Sequence, residues 1–185
     1  MERLILLVVI PLLIQCQHAE RPHLPTDQFF DLEIALYTHI DTATLNTVNK
    51  SIVYNTEEYT ETIPSYNLSR DLAIYETFNI NNPNWYDKFD VDTTIQSQKM
   101  LIKYAALSDD IDVSECEVRY DDSVLSSVMV QTNKDGLIAD LNKKFSWNVK
   151  DQVIILEVNQ ETLIGAPRYF KQELKILNSE STTTY

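Results

Sequence analysis

The chain has 185 residues, a formal net charge of −13 and only two glycines. A strongly acidic surface repels phosphate backbones, so the charge excludes nucleic acid as an expected partner and permits a basic one. Loops that cradle phosphates depend on glycine, so its scarcity argues against phosphate-binding motifs, and we expect no cofactor.

An apolar run near the start of the chain, residues 4–14, is broken only by Pro11. It is shorter than the ~20 residues that span a bilayer, and it is typical of the centre of a secretory signal peptide. We predict a leader of residues 1–19, cleaved after Ala19 or alternatively after Cys16. The protein is therefore expected to be secreted, with no membrane span in the mature chain. A buried N-terminal strand or helix is the alternative.

The rest of the chain is predicted to form one globular domain, residues 20–177, followed by a polar C-terminal tail, residues 178–185. A chain of this length can bury a core without disulfide bonds. Removal of the leader takes away Cys16, so Cys116 is the single thiol left and an intrachain disulfide is excluded.

Cys116 alternates with Val118 and Tyr120, which predicts a buried side chain on the apolar face of a strand. A disulfide to a second chain is the alternative interpretation. Catalysis by the thiol is disfavoured, because the flanking Glu115 and Glu117 raise its pKa. A nucleophilic thiolate requires a low pKa.

Apolar side chains recur at three- and four-residue spacing up to Ile40, which predicts a first helix. Thr26 or Asp27 is expected to cap its N-terminus. Apolar residues also alternate over residues 30–36, as in a strand, and this alternative stays open.

The next segment predicts a mixture of elements. Asp41 is expected to cap a second short helix. Residues 51–56 are expected to form a short strand, and residues 57–65 an edge strand or a loop. A third helix is predicted over residues 67–78, and an aspartate-rich loop follows it. The second helix carries Ala43, Leu45 and Val48, and the loop carries Trp85, Tyr86 and Phe89.

The second half of the chain predicts antiparallel strands separated by turn residues. The clearest is residues 137–149, where apolar side chains occupy odd positions and polar ones occupy most even positions. This alternation is typical of a strand with one face in the core. The other predicted strands are residues 99–107, 115–120, 124–132, 152–158 and 168–177.

This order of elements, together with FFDLEIALYTHIDTATL at residues 29–45 and the helix at 67–78, resembles the nuclear transport factor two-like family, as a secreted member. The resemblance implies an α+β fold, in which N-terminal helices pack on a curved antiparallel sheet around a pocket. The family includes isomerases, dehydratases and members that only bind. No catalytic residue is carried over, because no motif matches. An all-β sandwich or a lipocalin-like barrel is the alternative fold.

Two sites for N-glycosylation are predicted at Asn49 and Asn67, each in an Asn-X-Ser pattern. No metal site is expected, since histidine is scarce and the acidic stretch at residues 109–122 fits no calcium loop. Aromatic side chains are candidates for lining a pocket: Trp85, Tyr86, Phe89, Trp147 and Tyr169.

Scarce histidine, a lone thiol and the lack of a nucleophile motif favour a binding protein over an enzyme. We therefore predict a secreted acidic binding module that binds a small apolar ligand or a protein partner and has no catalytic activity. One alternative is a pocket enzyme of the isomerase or dehydratase type that uses a buried carboxylate. The other is a secreted protein that interacts through its surface, which requires an exposed apolar patch.

Overall fold

A computed structural model describes residues 29–40 and 46–177. They form two short α-helices, α1 (Leu32–His39) and α2 (Ser69–Tyr75), and two single-turn 3-10 helices, Glu76–Phe78 and Pro83–Trp85. The strands are β1 (Asn46–Tyr54), β2 (Glu57–Tyr66), β3 (Phe89–Gln96), β4 (Lys99–Ala106), β5 (Val113–Asp121), β6 (Val124–Lys134), β7 (Ala139–Asn148), β8 (Val153–Thr162) and β9 (Arg168–Leu177).

The nine strands form one antiparallel sheet in the order β2-β1-β9-β8-β7-β6-β5-β4-β3. Strands β3 to β9 are neighbours in both sequence and space, and β1 pairs with β9 to add the first hairpin. The edges are therefore β2 and β3. Because residues 67–88 connect these two edges, that segment must cross one face of the sheet.

The crossing segment packs over the central strand of the sheet. The rings of Tyr75 and Phe78 lie 5.3 Å and 5.6 Å from the ring of Phe145 on β7, measured between centroids. The face that it crosses is called the covered face here, and the opposite one the polar face. The covered face carries Val118, Val128, Phe145, Ile154 and Leu174, all buried.

Asp31 caps the N-terminus of helix α1, and its carboxylate accepts a 3.1 Å hydrogen bond from the Ile34 N–H. The same carboxylate accepts from the side-chain amides of Asn79 at 3.1 Å and Asn81 at 2.7 Å. These bonds fasten the start of the helix to the crossing segment. Leu32 and Leu36 of α1 are buried in the same cluster as the sheet residues.

Several predicted elements are confirmed. Residues 29–40 contain a helix rather than a strand, and the helix predicted over 67–78 is α2 with the following 3-10 turn. The six strands predicted after residue 98 correspond to β4 to β9, within a few residues at their ends. The predicted leader, the helix caps at Thr26 and Asp27, and the C-terminal tail lie outside the described residues.

The predicted fold class is wrong. Strands make up 59% of the described residues and helices 15%, so the molecule is mostly a single nine-stranded sheet, not N-terminal helices packed on a curved sheet. The sheet is open, with β2 and β3 as its edges, so the alternative of a lipocalin-like barrel is wrong as well. One continuous sheet also differs from the two sheets of a sandwich.

Three segments account for the difference. Val48, predicted on a second helix, lies in β1, whose Ile52 and Val53 favour extended backbone. Residues 57–66 form a full edge strand, and residues 89–96, predicted as loop, form the other edge. Ala43 and Leu45 of the predicted second helix lie outside the described residues.

Candidate functional site

A hollow of about 500 Å³ opens on the polar face, where the β3–β4, β5–β6 and β7–β8 turns meet. We call it the turn-end hollow. Leu101, Gln96 and Ser127 line it on the polar face. Met100 and Tyr120 also border it, although their side chains alternate to the covered face. Lys99, Arg119, Lys150, Asp121 and Asp151 also line it.

Turn chemistry builds the walls of the hollow. Asp122 and Ser123 have φ values of 51° and 65°, which suits the tight turn between β5 and β6. In the β7–β8 turn, the Asn148 amide donates to Asp151 Oδ2 at 2.6 Å, and the Asp151 N–H donates to Asn148 Oδ1 at 3.0 Å. This reciprocal pair fixes the turn that carries Lys150.

The basic side chains of the hollow differ in their partners. Arg119 Nη2 donates to Glu117 Oε2 at 2.8 Å, so the charge of that guanidinium is partly offset. Lys99 and Lys150 make no ion pair within 4 Å among the described residues. Two ammonium groups are therefore available at the hollow without a fixed counter-ion.

A second candidate lies at the opposite end of the sheet, on the β6–β7 and β8–β9 loops. Four aliphatic side chains there are between 72% and 96% exposed. The two loops are joined by a 3.0 Å hydrogen bond from the Leu163 N–H to the Ile138 carbonyl. We call this surface the aliphatic tip: Leu137, Ile138, Leu163 and Ile164.

A polar cluster lies where β2 leads into α2. Asp71 is only 5% exposed, and its Oδ2 accepts a 2.5 Å hydrogen bond from the Tyr66 hydroxyl. Lys50 Nζ donates to the same Tyr66 oxygen at 2.9 Å. Burial, and then the bond to Asp71, raises the pKa of Tyr66.

The cluster continues into the sheet through Tyr75, whose hydroxyl accepts a 2.9 Å hydrogen bond from the Gln172 side-chain amide. Burial, reinforced by the charge of Asp71, raises the pKa of Tyr75 far above its usual value. Asp71 is a buried carboxylate of the kind that the enzyme alternative requires. Its bond to Tyr66 and its near-complete burial favour a structural role over proton transfer to a substrate.

The two predicted glycosylation sites differ in exposure. Asn67 is exposed at the start of α2, and its side-chain oxygen accepts a 2.9 Å hydrogen bond from the Ser69 N–H. Asn49 is half-buried on β1, and its oxygen accepts a 2.7 Å bond from the Thr62 hydroxyl. Asn67 is thus the more accessible of the two.

The five aromatic residues predicted to line a pocket occupy three separate places. Tyr86 and Phe89 pack around Phe29, with ring centroids 5.1 Å and 5.6 Å away, and Trp85 lies 6.5 Å from Phe89. Trp147 is 1% exposed, with its ring 5.9 Å from His39. Tyr169 lies on the polar face, where its hydroxyl donates to Glu157 at 3.5 Å.

The interpretation of Cys116 as a buried apolar side chain is confirmed, since the thiol is free and fully buried. Burial raises its pKa strongly, and the charges of Glu117 and Glu115 add to the effect. The thiol is therefore held protonated at physiological pH. In the part of the chain that the structure describes, no group of three or more His, Cys, Asp and Glu is placed to hold a metal ion.

The turn-end hollow was missed by sequence reasoning. Its basic residues are spread over three strands and turns, so no local motif marks them. The available signal was positional: Lys99, Arg119 and Lys150 each lie within a few residues of a hairpin turn at the same end of the meander.

No family model, curated protein or solved structure matches the chain. The resemblance to the nuclear transport factor two-like family therefore stays a prediction. None of the helices among the described residues is long and apolar enough to cross a membrane.

Proposed function

We propose that this chain is a secreted, non-catalytic binding module, and that its turn-end hollow takes a small amphiphilic anion. The observation that carries the proposal is the combination of an apolar lining with two unpaired lysines in a hollow of about 500 Å³. Small-ligand pockets commonly fall in this size range and combine apolar walls with a few polar groups.

The charge balance of the hollow supports an anionic ligand. The chain as a whole carries 28 acidic and 15 basic residues. The lining has three basic residues and two acidic ones, which is a local excess of basic residues in an acidic chain. A ligand with an anionic head can pair with Lys99 and Lys150 while its apolar part covers Leu101.

A matched pair of fluorescent probes tests this proposal. The anion 8-anilinonaphthalene-1-sulfonate and the neutral N-phenyl-1-naphthylamine share the same aromatic skeleton and differ in the sulfonate. We expect the anion to bind roughly tenfold more tightly or better, as one good charge-assisted contact supplies. Equal affinities, or tighter binding of the neutral probe, would contradict the proposal.

A control variant separates the hollow from general surface charge. Lys144 is exposed on the polar face of β7 and does not line the hollow. Lys144→Glu changes the net charge as much as Lys150→Glu does. We expect Lys150→Glu to weaken binding of the sulfonate probe and Lys144→Glu to leave it nearly unchanged.

A protein partner docking on the aliphatic tip is the second candidate function. Exposed aliphatic side chains clustered on two bonded loops are typical of an interaction surface. If this function holds, the protein in the extracellular fluid of its source elutes in a complex larger than the pure chain. The variant Leu137→Asp, Ile164→Asp then elutes as the free chain, whereas Lys144→Asp behaves like the wild type.

A further inference from the structure

Strand β3 is an open edge of the sheet along most of its length. From Asp90 to Gln96 every side chain is exposed. On the covered side of the strand, Val91 is 46% and Ile95 is 68% exposed. Among the described residues, no strand pairs with β3 on its outer side.

The direction of the backbone groups follows from one hydrogen bond. The Leu107 N–H donates to the Lys88 carbonyl at 2.8 Å, which continues the β3–β4 register. Hydrogen-bonded residues alternate along an antiparallel pair, so even-numbered residues of β3 direct their N–H and C=O groups to β4. The corresponding groups of Val91, Thr93 and Ile95 point outward, away from the sheet.

The other edge of the sheet is protected. The Asn55 N–H donates to the Tyr169 carbonyl, so odd-numbered residues of β1 bond to β9 and even-numbered ones bond to β2. It follows that the backbone N–H and C=O groups of the even-numbered residues from Glu58 to Pro64 point outward. Proline has no N–H to donate, and a register shift near Val48 further disturbs this edge.

We propose that β3 pairs with β3 of a second copy of this chain, in antiparallel orientation, to give a continuous sheet across a two-fold axis. With Thr93 at the axis, Val91 of each copy lies opposite Ile95 of the other. The three outward-facing residues then exchange backbone hydrogen bonds, and the exposed aliphatic side chains cover each other.

Charge favours this self-pairing register. Asp90 lies opposite Gln96 of the second copy, and Asp92 lies opposite Thr94, so no aspartate directly faces another. Centring the axis on Asp92 would place two carboxylates face to face, which is unfavourable. The register with Thr93 at the axis is thus selected by both the apolar and the acidic positions of the strand.

The net charge of the chain opposes association of two copies. Two copies each carrying −13 repel one another, and added salt screens that repulsion. The dimer is therefore expected to strengthen as the salt concentration rises. An association driven by ion pairs would show the opposite dependence.

Sedimentation velocity on the full chain, over a range of protein concentrations, tests the proposal. We expect a monomer at low concentration, a dimer at high concentration, and a midpoint that moves to lower concentration with salt. Ile95→Lys should weaken the dimer by about tenfold or more, because it places a charge in the junction. Tyr59→Lys is the matched control, since Tyr59 is an exposed residue of the opposite edge strand.

A second variant keeps the test independent of side-chain chemistry. Thr93→Pro removes an outward N–H at the proposed axis and should also give a monomer. A dimer that persists in both variants overturns the proposal, as does a wild type that stays monomeric throughout. Slow hydrogen exchange at the Val91, Thr93 and Ile95 amides of such a monomer would show that another segment of the same chain covers the edge.

Discussion

The hydroxyl of Tyr66 donates a 2.5 Å hydrogen bond to Oδ2 of Asp71. Tyr66 is the last residue of β2, and Asp71 lies in the first turn of α2. The bond therefore closes the corner at which the chain leaves one edge of the sheet and starts across the covered face. Burying a carboxylate without a hydrogen-bond donor costs free energy, and the bond from Tyr66 offsets this cost for Asp71.

Tyr66→Phe removes the donor and leaves the carboxylate of Asp71 without this partner. We expect the free energy of unfolding to fall by about 1–3 kcal/mol, the range for a buried group that loses its hydrogen bond. Urea unfolding measures the change. Tyr59→Phe, at an exposed site, is the control and should have little effect.

Trp147→Asp should unfold the domain. Trp147 is 1% exposed on the covered face, so the substitution buries an unpaired charge and removes a large apolar side chain. The expected loss of several kcal/mol is comparable with the whole stability of a domain. Circular dichroism measures it, with Lys144→Asp on the opposite face of the same strand as control. A cooperatively folded Trp147→Asp protein would contradict the assigned facing.

The facing of β7 could be predicted because successive side chains of a strand point to opposite faces of the sheet. Phe145, Trp147 and Val149 are buried as their odd positions require. Leu137, at the start of the same pattern, is 96% exposed on the loop before β7. A period of two shows which side chains share a face, but it does not show where the covering segment ends.

Strand β3 was missed for a related reason. It lies at an edge with both faces largely exposed, so its side chains, such as Asp90 and Asp92, carry no burial signal. Its place in the sheet depends on pairing with β4, which is a non-local contact that composition does not encode. Likewise, the turn-end hollow exists only because three hairpin turns that are distant in sequence lie side by side.

Cys116 should resist thiol reagents in the folded protein and react once the protein is unfolded in denaturant. Burial raises the pKa of the thiol and also blocks access to it. Titration with a chromogenic disulfide reagent measures the reaction. Lys144→Cys, at an exposed position, should react at once. Reducing agent should leave the melting temperature unchanged, since no intrachain disulfide involves the buried thiol.

Stability should fall at alkaline pH. Burial raises the pKa of Tyr104 from 10.0 to about 12, so folding favours the neutral phenol. The contribution is fully present below pH 10 and is lost as pH rises from about 10 towards about 12, where only the unfolded chain ionises at first. The loss amounts to up to about 3 kcal/mol for this group. Unfolding titrations from neutral to alkaline pH measure it. Tyr104→Phe should reduce the dependence, while the raised pKa values of Tyr75 and Cys116 keep the remainder.

The central claim is that the turn-end hollow binds an amphiphilic anion through Lys99 and Lys150. The most direct test is the ratio of affinities for the sulfonate probe and its neutral analogue, measured in the wild type and in the Lys99→Glu, Lys150→Glu variant. We predict that the ratio favours the anion in the wild type and drops to one or below in the variant, while affinity for the neutral probe changes little. A ratio that is the same in both proteins would contradict the account.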